Sequence, residues 1–440
     1  MSFSFDLCYY YIDSIGVGKM KKKKKRNNKK VNIIQDLKNR FLKKEEDDWN
    51  SNSFSMFEVI IIILISILFG VIIGYIITCG KTSLYVKDKN MYEIADVYNS
   101  LTTEYYGKVD KDKLSDAAIK GMVESIDDPF TNYMDEDISD EFNKAVNGSF
   151  VGIGVTVTYE EGYYRIIEIM KNSPALESGM EVNDLIIRVD DKDISSDEKA
   201  FSSISNGKVG SSVKITIKRG EEEKDFVLKR SVIEMEVVHN NVFDYEGLTI
   251  GYARIDSFSS NSAKQFKNAI HRFDRKKIDA LVIDVRDNPG GHLDKTREIL
   301  SHFFDKKTVL FQIENKNGTR KVKSLNNETK DYPIAVLINS GSCSASEILA
   351  STIDELYPNS FTVGTTTYGK GTVQKSQSLN SGNSIEYTTQ KWLTAKGEWL
   401  GNKGVKPTYE VEETEEYCNN PVYENDEQLQ VALQKIKESK

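Results

Sequence analysis

The spacing of apolar residues changes character several times along the chain, and each change marks a boundary. Residues 59–77 form an apolar run of 19, interrupted only by Ser66, Gly70 and Gly74. About 20 such residues are needed to cross the hydrocarbon core of a bilayer, so the run predicts one membrane helix. From 88 to 146 apolar positions return at helical period, through Tyr92, Ala95, Val97 and Leu101 and then over 114–126, until Asp128-Pro129 stops them. Between 150 and 232 the period falls to two. Val151, Ile153, Val155 and Val157 alternate, Ile166-Ile167, 185–187 and 213–217 are further short strands, and Ser173-Pro174 opens a short helix that Gly179 closes. From 247 onward strands at 250–255, 280–285, 334–338 and 361–363 are interleaved with helices at 262–273 and 346–356. A last helix, capped by Asp426, carries Leu429, Leu433 and Ile436. No internal repeat is visible. The pattern predicts an α/β (α+β) protein of several domains behind a single N-terminal transmembrane helix.

Charge refines this picture. The 440 residues hold 59 Lys+Arg and 67 Asp+Glu, a net charge of −8. Residues 1–56 alone hold 13 basic and 7 acidic side chains, a net of +6, which leaves −14 for the rest. Most of the positive charge is a run at 19–30, on the N-terminal side of the apolar stretch. The positive-inside rule then keeps residues 1–56 in the cytoplasm and sends everything after about Gly80 outside. The acidic remainder is a poor match for nucleic-acid binding. A cleaved signal peptide fits less well than an anchor, because the apolar run is long and no small-x-small site follows it. Ile76-Ile77-Thr78-Cys79 resembles a lipoprotein cleavage site loosely, and Met20 is an alternative start to Met1. Four cysteines (Cys8, Cys79, Cys343, Cys418) and four scattered histidines exclude a disulfide scaffold and suggest no zinc site.

Three segments carry chemistry. The first is Ile338-Asn339-Ser340-Gly341-Ser342-Cys343-Ser344-Ala345-Ser346-Glu347, a buried strand, a turn of small residues and the start of a helix. Small neighbours leave room for a substrate, and a helix N-terminus supplies free N–H groups for a developing anion. The bland reading of such a turn is an ordinary N-cap. The second is Gly364-Thr365-Thr366-Thr367-Tyr368-Gly369-Lys370-Gly371-Thr372-Val373-Gln374. It nearly matches the phosphate-binding G-x-x-x-x-G-K-[ST] pattern, but Gly371 stands where the magnesium-holding hydroxyl belongs. A lysine packed between glycines can instead be desolvated and take a proton from a serine. The third is Asp284-Val285-Arg286-Asp287-Asn288-Pro289-Gly290-Gly291, a strand ending in a turn that can aim a backbone N–H into a site.

In this order the three segments resemble the C-terminal processing (tail-specific) peptidases, a Ser-Lys serine protease family. The resemblance covers roughly 90–440. It includes Ala118-Ile119-Lys120-Gly121-Met122, Asp127-Asp128-Pro129-Phe130-Thr131, Tyr387-Thr388-Thr389, Gly404-Val405-Lys406-Pro407 and the closing helix from Gln428. It implies Ser344 as nucleophile, Lys370 as general base, and Gln374 as the residue that holds the lysine. It further implies an oxyanion hole from the N–H of Ala345 and that of either Gly290 or Gly291. Residues 150–232 resemble a PDZ domain, with Val151, Gly152, Ile153 and Gly154 in the loop that would bind a substrate's terminal carboxylate. Three departures stand out. Cys343 replaces the usual alanine, His292 follows Gly291 where an apolar residue is common, and the interval from Ser344 to Lys370 is about one residue longer than the family's, with Tyr357-Pro358-Asn359-Ser360 as the place of insertion.

The implied organisation is a cytoplasmic basic tail (1–56), a transmembrane helix (57–79), a helical region (80–146), a PDZ domain (147–232), a protease core (233–413) and a C-terminal helical tail (414–440). The expected activity is a membrane-anchored, extracytoplasmic serine endopeptidase acting on proteins with free C-termini, without metal or cofactor. The competing expectation is a catalytically inactive PDZ scaffold that binds tails at the cell surface. The segments 88–146 and 426–438 can pair between subunits in a homodimer as readily as they pack on their own core. The natural substrate cannot be read from the sequence.

Overall fold

The computed structural model describes residues 56–81, 88–160, 162–194, 207–327 and 329–440. The expected basic tail lies outside the described residues, apart from Met56. The chain divides into two units, 1–109 and 110–440.

The first unit holds α1 (Met56–Lys81) and α2 (Lys89–Thr103). α1 is one unbroken helix of 26 residues, and its large apolar side chains from Val59 to Ile73 are all exposed, between 40 and 64%. Its side chains are described from Glu58 to Gly74, and among the described residues no helix is long and apolar enough to cross a membrane. α2 begins on Asp88, whose carboxylate accepts from the Asn90 N–H.

The second unit opens with α3 (Lys111–Glu124), β1 (Asn132–Met134) and α4 (Glu136–Asn147). The helical reading of 88–146 is thus corrected at β1. That strand has no local signal, because what makes it a strand is pairing with a segment more than 250 residues away, Asn132 opposite Glu386.

The PDZ region follows. It comprises β2 (Ser149–Gly152), β3 (Val155–Glu160), β4 (Tyr163–Ile169), α5 (Pro174–Ser178), β5 (Leu185–Val189), β6 (Lys192–Asp193), β7 (Ser212–Arg219), β8 (Glu222–Lys229) and β9 (Ser231–Glu234). Its sheet runs β3-β4-β5-β7-β8, so β3 is an edge strand among the described residues. The alternation over 151–157 predicts one strand, but the chain breaks it at Gly154, which takes φ +81° and where an added Cβ would sit 2.3 Å from the Ser173 Cβ. Ile166, Ile186, Ile215 and Ile217 fill the core of this module. The chain enters and leaves it through β2 and β9, which pair with each other.

The remainder comprises β10 (Val238–Tyr245), β11 (Leu248–Ile255), α6 (Ser262–Lys276), β12 (Ala280–Asp284), α7 (Leu293–Leu300), β13 (Val309–Asn315), β14 (Gly318–Lys323), β15 (Ile334–Ile338), α8 (Ala345–Leu356), β16 (Ser360–Gly364), β17 (Thr372–Ser378), β18 (Ser384–Leu393), β19 (Tyr409–Glu410), α9 (Glu415–Asn419) and α10 (Glu427–Glu438). The central sheet runs β10-β11-β12-β15-β16-β19 and is parallel from β11 onward. A parallel sheet must be covered on both faces. Leu281, Ile283, Val336 and Ile338 accordingly face Phe266, Phe273, Ile348 and Leu349, while Val282, Ala335 and Leu337 face Leu429, Leu433 and Ile436 of α10. A second sheet, β1-β18-β13-β14 with β17 on β18, packs its Phe311 and Trp392 into the first of these cores.

Candidate active site

β12, β15 and β16 are adjacent and parallel, with Asp284 opposite Leu337 and Ile338 opposite Gly364. Their carboxyl ends are therefore level, and the three chemical segments leave the sheet side by side. This is where open α/β sheets place their sites. None of the three loops contacts another in sequence; the sheet alone assembles them.

The serine turn is fixed by hydrogen bonds from the neighbouring loop. Asn288 is the hub. Its carbonyl accepts from the Cys343 N–H (3.0 Å) and the Ser346 hydroxyl (2.9 Å), its Oδ1 accepts from the Gly290 N–H (2.8 Å), and its Nδ2 donates to the Ile255 carbonyl (2.7 Å). Ser342 donates to the Val285 carbonyl at 2.7 Å, which ties the turn to the end of β12. Ser344 itself is half-buried with φ 55° and ψ −107°. A non-glycine residue held in such a region costs of order 1–3 kcal/mol and is retained where the surroundings enforce it. Gly290 lies directly against it: with φ +101°, a Cβ there would sit 2.8 Å from the Cys343 carbonyl oxygen and 2.9 Å from the Ser344 Cβ. Only glycine leaves room for anything above the serine.

Glu347 is the residue that sequence reasoning passed over. Its side chain is fully buried. Oε2 accepts from the Ser344 N–H (2.8 Å) and the Lys370 N–H (2.9 Å), and Oε1 accepts from the Thr367 hydroxyl (2.6 Å) and the Gly369 N–H (2.7 Å). One carboxylate thus clamps the serine turn to the lysine loop. The Ser-x-x-Glu spacing of a capping box was the available signal, since it sends the glutamate back to the N-cap N–H.

The lysine loop is held from the far side by tryptophans. Trp392 Nε1 donates to the Lys370 carbonyl (2.7 Å) and Trp399 Nε1 to the Gly371 carbonyl (3.0 Å). The loop leads into the strand β17 rather than a helix, which removes the strand–loop–helix context that a phosphate loop requires. Lys370 is half-buried, and its Nζ lies 4.9 Å from the centre of the Phe130 ring. Among the described residues no hydrogen bond joins it to Ser344. Gln374 Nε2 donates to the hydroxyls of Thr372 (2.8 Å) and Thr388 (3.1 Å), and no hydrogen bond joins it to Lys370.

The other candidates are placed as follows. The Ala345 N–H is at the first helical position, where no intrahelical acceptor exists. Gly291 is exposed, whereas Gly290 is buried with its N–H engaged by Asn288. Burial pushes the Cys343 thiol up to about 11, with the Glu347 carboxylate adding to the effect, so it is not a thiolate near neutrality. His292 precedes α7 and its Nε2 lies 3.3 Å from the Ser260 hydroxyl, with no bond to Ser344. Asn359, in the segment before β16, takes φ +56°. Among the described residues no group of three or more His, Cys, Asp or Glu side chains gathers as metal ligands do.

In the PDZ region Val151 and Gly152 belong to β2 and pair with Val232 and Ser231. The Ile153 carbonyl accepts from the Ala175 N–H and the Gly154 carbonyl from the Met170 N–H, while the N–H groups of Ile153 and Gly154 donate to no other backbone group among the described residues.

Three family models match the chain. Peptidase family S41 matches residues 249–411, a PDZ domain matches 151–229, and the activating protease CtpB N-terminal domain matches 78–138. The carboxy-terminal processing protease CtpB of Bacillus subtilis (strain 168) is 37% identical over 340 residues, which are 76% of this chain and 71% of that protein. The carboxy-terminal processing protease CtpA of the same organism is 36% identical over 336 residues, again 76% and 71%. Among solved structures, the photosystem II D1 C-terminal processing protease aligns over 74% of this chain and 87% of its own, at 22% identity and a TM-score of 0.44. With so much of two relatives matched at such identity, the chain belongs to the carboxy-terminal processing serine peptidases of family S41, with an inserted PDZ domain.

Proposed function

We propose that the protein is a membrane-anchored, extracytoplasmic endopeptidase that captures protein C-termini in its PDZ domain and cleaves them with a Ser344–Lys370 pair. The observation that carries the proposal is the convergence of the three loops at the level ends of β12, β15 and β16, with Gly290 against Ser344 and Glu347 bonded to both the Ser344 and Lys370 N–H groups. Ser344 Oγ attacks the scissile carbonyl carbon while its proton passes to the neutral amine of Lys370. The carbonyl oxygen becomes an oxyanion that accepts from the N–H groups of Ala345 and Gly291, since Gly290 already donates to Asn288. Lys370 then gives its proton to the leaving amine, and water attacks the acyl-enzyme with Lys370 again taking a proton. Gln374, one residue-pair along β17 from the lysine loop, orients the base in the engaged state.

The open side of β3 suits a substrate tail that adds as a strand, and the Ile153 and Gly154 N–H groups suit its terminal carboxylate. The anchor rests on the sequence, where the apolar run at 59–77 is close to the roughly 20 residues that cross a bilayer's hydrocarbon core. α1 also runs without a break past Cys79, and the lysine run before it favours a cytoplasmic N-terminus.

Turnover of a peptide with a free C-terminus, compared among wild type, Ser344→Ala and Lys370→Ala, tests the chemistry. Both variants are expected to lose at least about a thousand-fold in kcat. Undiminished cleavage by both would remove the assignment. Amidation of the peptide's C-terminus should raise KM; an unchanged KM would remove the tail-capture step.

A further inference from the structure

The two residues that must exchange a proton are held by one carboxylate through their backbone N–H groups, yet among the described residues no hydrogen bond joins their side chains. The Lys370 ammonium lies over the Phe130 ring at 4.9 Å from the centroid. Asp128, Glu386 and Cys343 lie within electrostatic reach of the same charge. The ring is not carried there by the lysine. It sits in a turn closed by Asp128, which accepts from the Phe130 N–H (3.1 Å) and the Thr131 hydroxyl (2.6 Å). The turn is seated on the second sheet by the pairing of β1 with β18 and by the Thr388 N–H donating to the Thr131 hydroxyl at 3.3 Å. Thr388 also accepts from Gln374 Nε2 at 3.1 Å. The platform is therefore built by the N-terminal segment and held by contacts that do not involve the Lys370 side chain.

An aromatic face attracts an ammonium and has no comparable attraction for a neutral amine. The base of the proposed reaction is the neutral amine, placed against Ser344 Oγ. We infer that Phe130 is a positioning residue that holds Lys370 in a withdrawn, charged arrangement, and that catalysis requires the lysine to leave the ring. This rests on Lys370 being the base.

The test uses the full chain and a short nitrophenyl ester that engages the serine without a tail for the PDZ domain. Phe130→Leu and Phe130→Met remove the aromatic face, while Phe130→Trp and Phe130→Tyr keep it. The non-aromatic pair should raise kcat about two- to twenty-fold, the range a cation–π contact supports, with KM unchanged. The aromatic pair should match or fall below wild type. A purely structural ring would sort the four by volume and thermal midpoint instead, with both non-aromatic variants slower, and that result overturns the inference. Lys370→Ala serves as the reference. If it turns over the ester at the wild-type rate, the base assignment itself fails and takes this inference with it. If it is inactive while the Phe130 variants do not sort by aromaticity, only the role of the ring fails.

Discussion

The PDZ module and the peptidase core both carry surface ion pairs, but they differ in the charge they bury. In the PDZ module most ion pairs are on the surface, as in Arg188–Glu223 at 2.6 Å and Lys214–Asp191 at 2.7 Å. The exception is Arg219, which reaches the buried Asp184. The core also carries surface pairs, such as Lys264–Glu234, but adds an interior network. The Arg286 side chain is 2% exposed and lies between Asp284 (0%) and Asp426 (5%). It also donates to Gln428 at 3.0 Å and faces the Tyr417 ring. Burial alone would raise the Asp284 carboxyl, but the Arg286 guanidinium and a bond from Tyr252 hold it below the usual carboxylate range. Burying charge costs several kcal/mol per ion and returns little net stability. The core's buried charges sit where they fix geometry. Asp284–Arg286–Asp426 ties the end of β12 to the start of α10, and Glu347 ties two loops together. The PDZ module asks only for a free strand edge and backbone N–H groups, so its charges can stay in water.

The sharpest break of this contrast is at Glu347. Glu347→Ala leaves four donors without an acceptor, each worth about 1–3 kcal/mol when buried, and should abolish turnover by at least about a hundred-fold along with a loss of thermal midpoint. Glu347→Gln should recover part of the stability and little of the kcat, because its amide NH₂ must face N–H donors. Full activity in either variant would show that the clamp does not aim the site.

Next in size is Arg286→Ala, which strands two buried carboxylates. An expected loss of about 3–5 kcal/mol would appear as a lower urea midpoint, and a loss too small to measure would place the network outside the folded core's needs.

His302 offers a pH test. Burial, followed by the nearby Lys330 and Lys267, lowers it from 6.5 to about 4. Above pH 6.5 it is neutral in both folded and unfolded chains and contributes nothing. As pH falls from 6.5 to 4 the unfolded chain takes up a proton that the folded chain refuses, so stability is lost over that window, by up to about 2–3 kcal/mol. His302→Gln should remove that part of the acid sensitivity in melts at pH 7 and pH 4.5. The smallest effect belongs to the PDZ surface. Arg188→Ala should leave the melting midpoint within error, and a clear drop would mean that the exposed pairs matter as the interior ones do.

How much of this was legible without coordinates varies with sequence distance. Strand 334–338, the capping of the last helix by Asp426 and the Ser173–Gly179 helix match the structure, because period and capping are local. The elements missed are those whose partners are remote. β1 and β18 pair across more than 250 residues, and Phe130 meets Lys370 across 240 positions of chain. That the Gly290 N–H is engaged by the Asn288 side chain was likewise invisible, because it depends on where Asn288 points.

The sequence by itself determined the periods, the caps, the apolar run and the identity of the residues that can do chemistry, since each depends on neighbours within a few positions. Which of those residues meet was decided only by tertiary structure. Parallel strands bring their carboxyl ends level whatever the length of chain between them. Three loops up to about 80 residues apart then share one face, two of them are bonded by one carboxylate, and a phenylalanine from the N-terminal part comes to lie under the lysine.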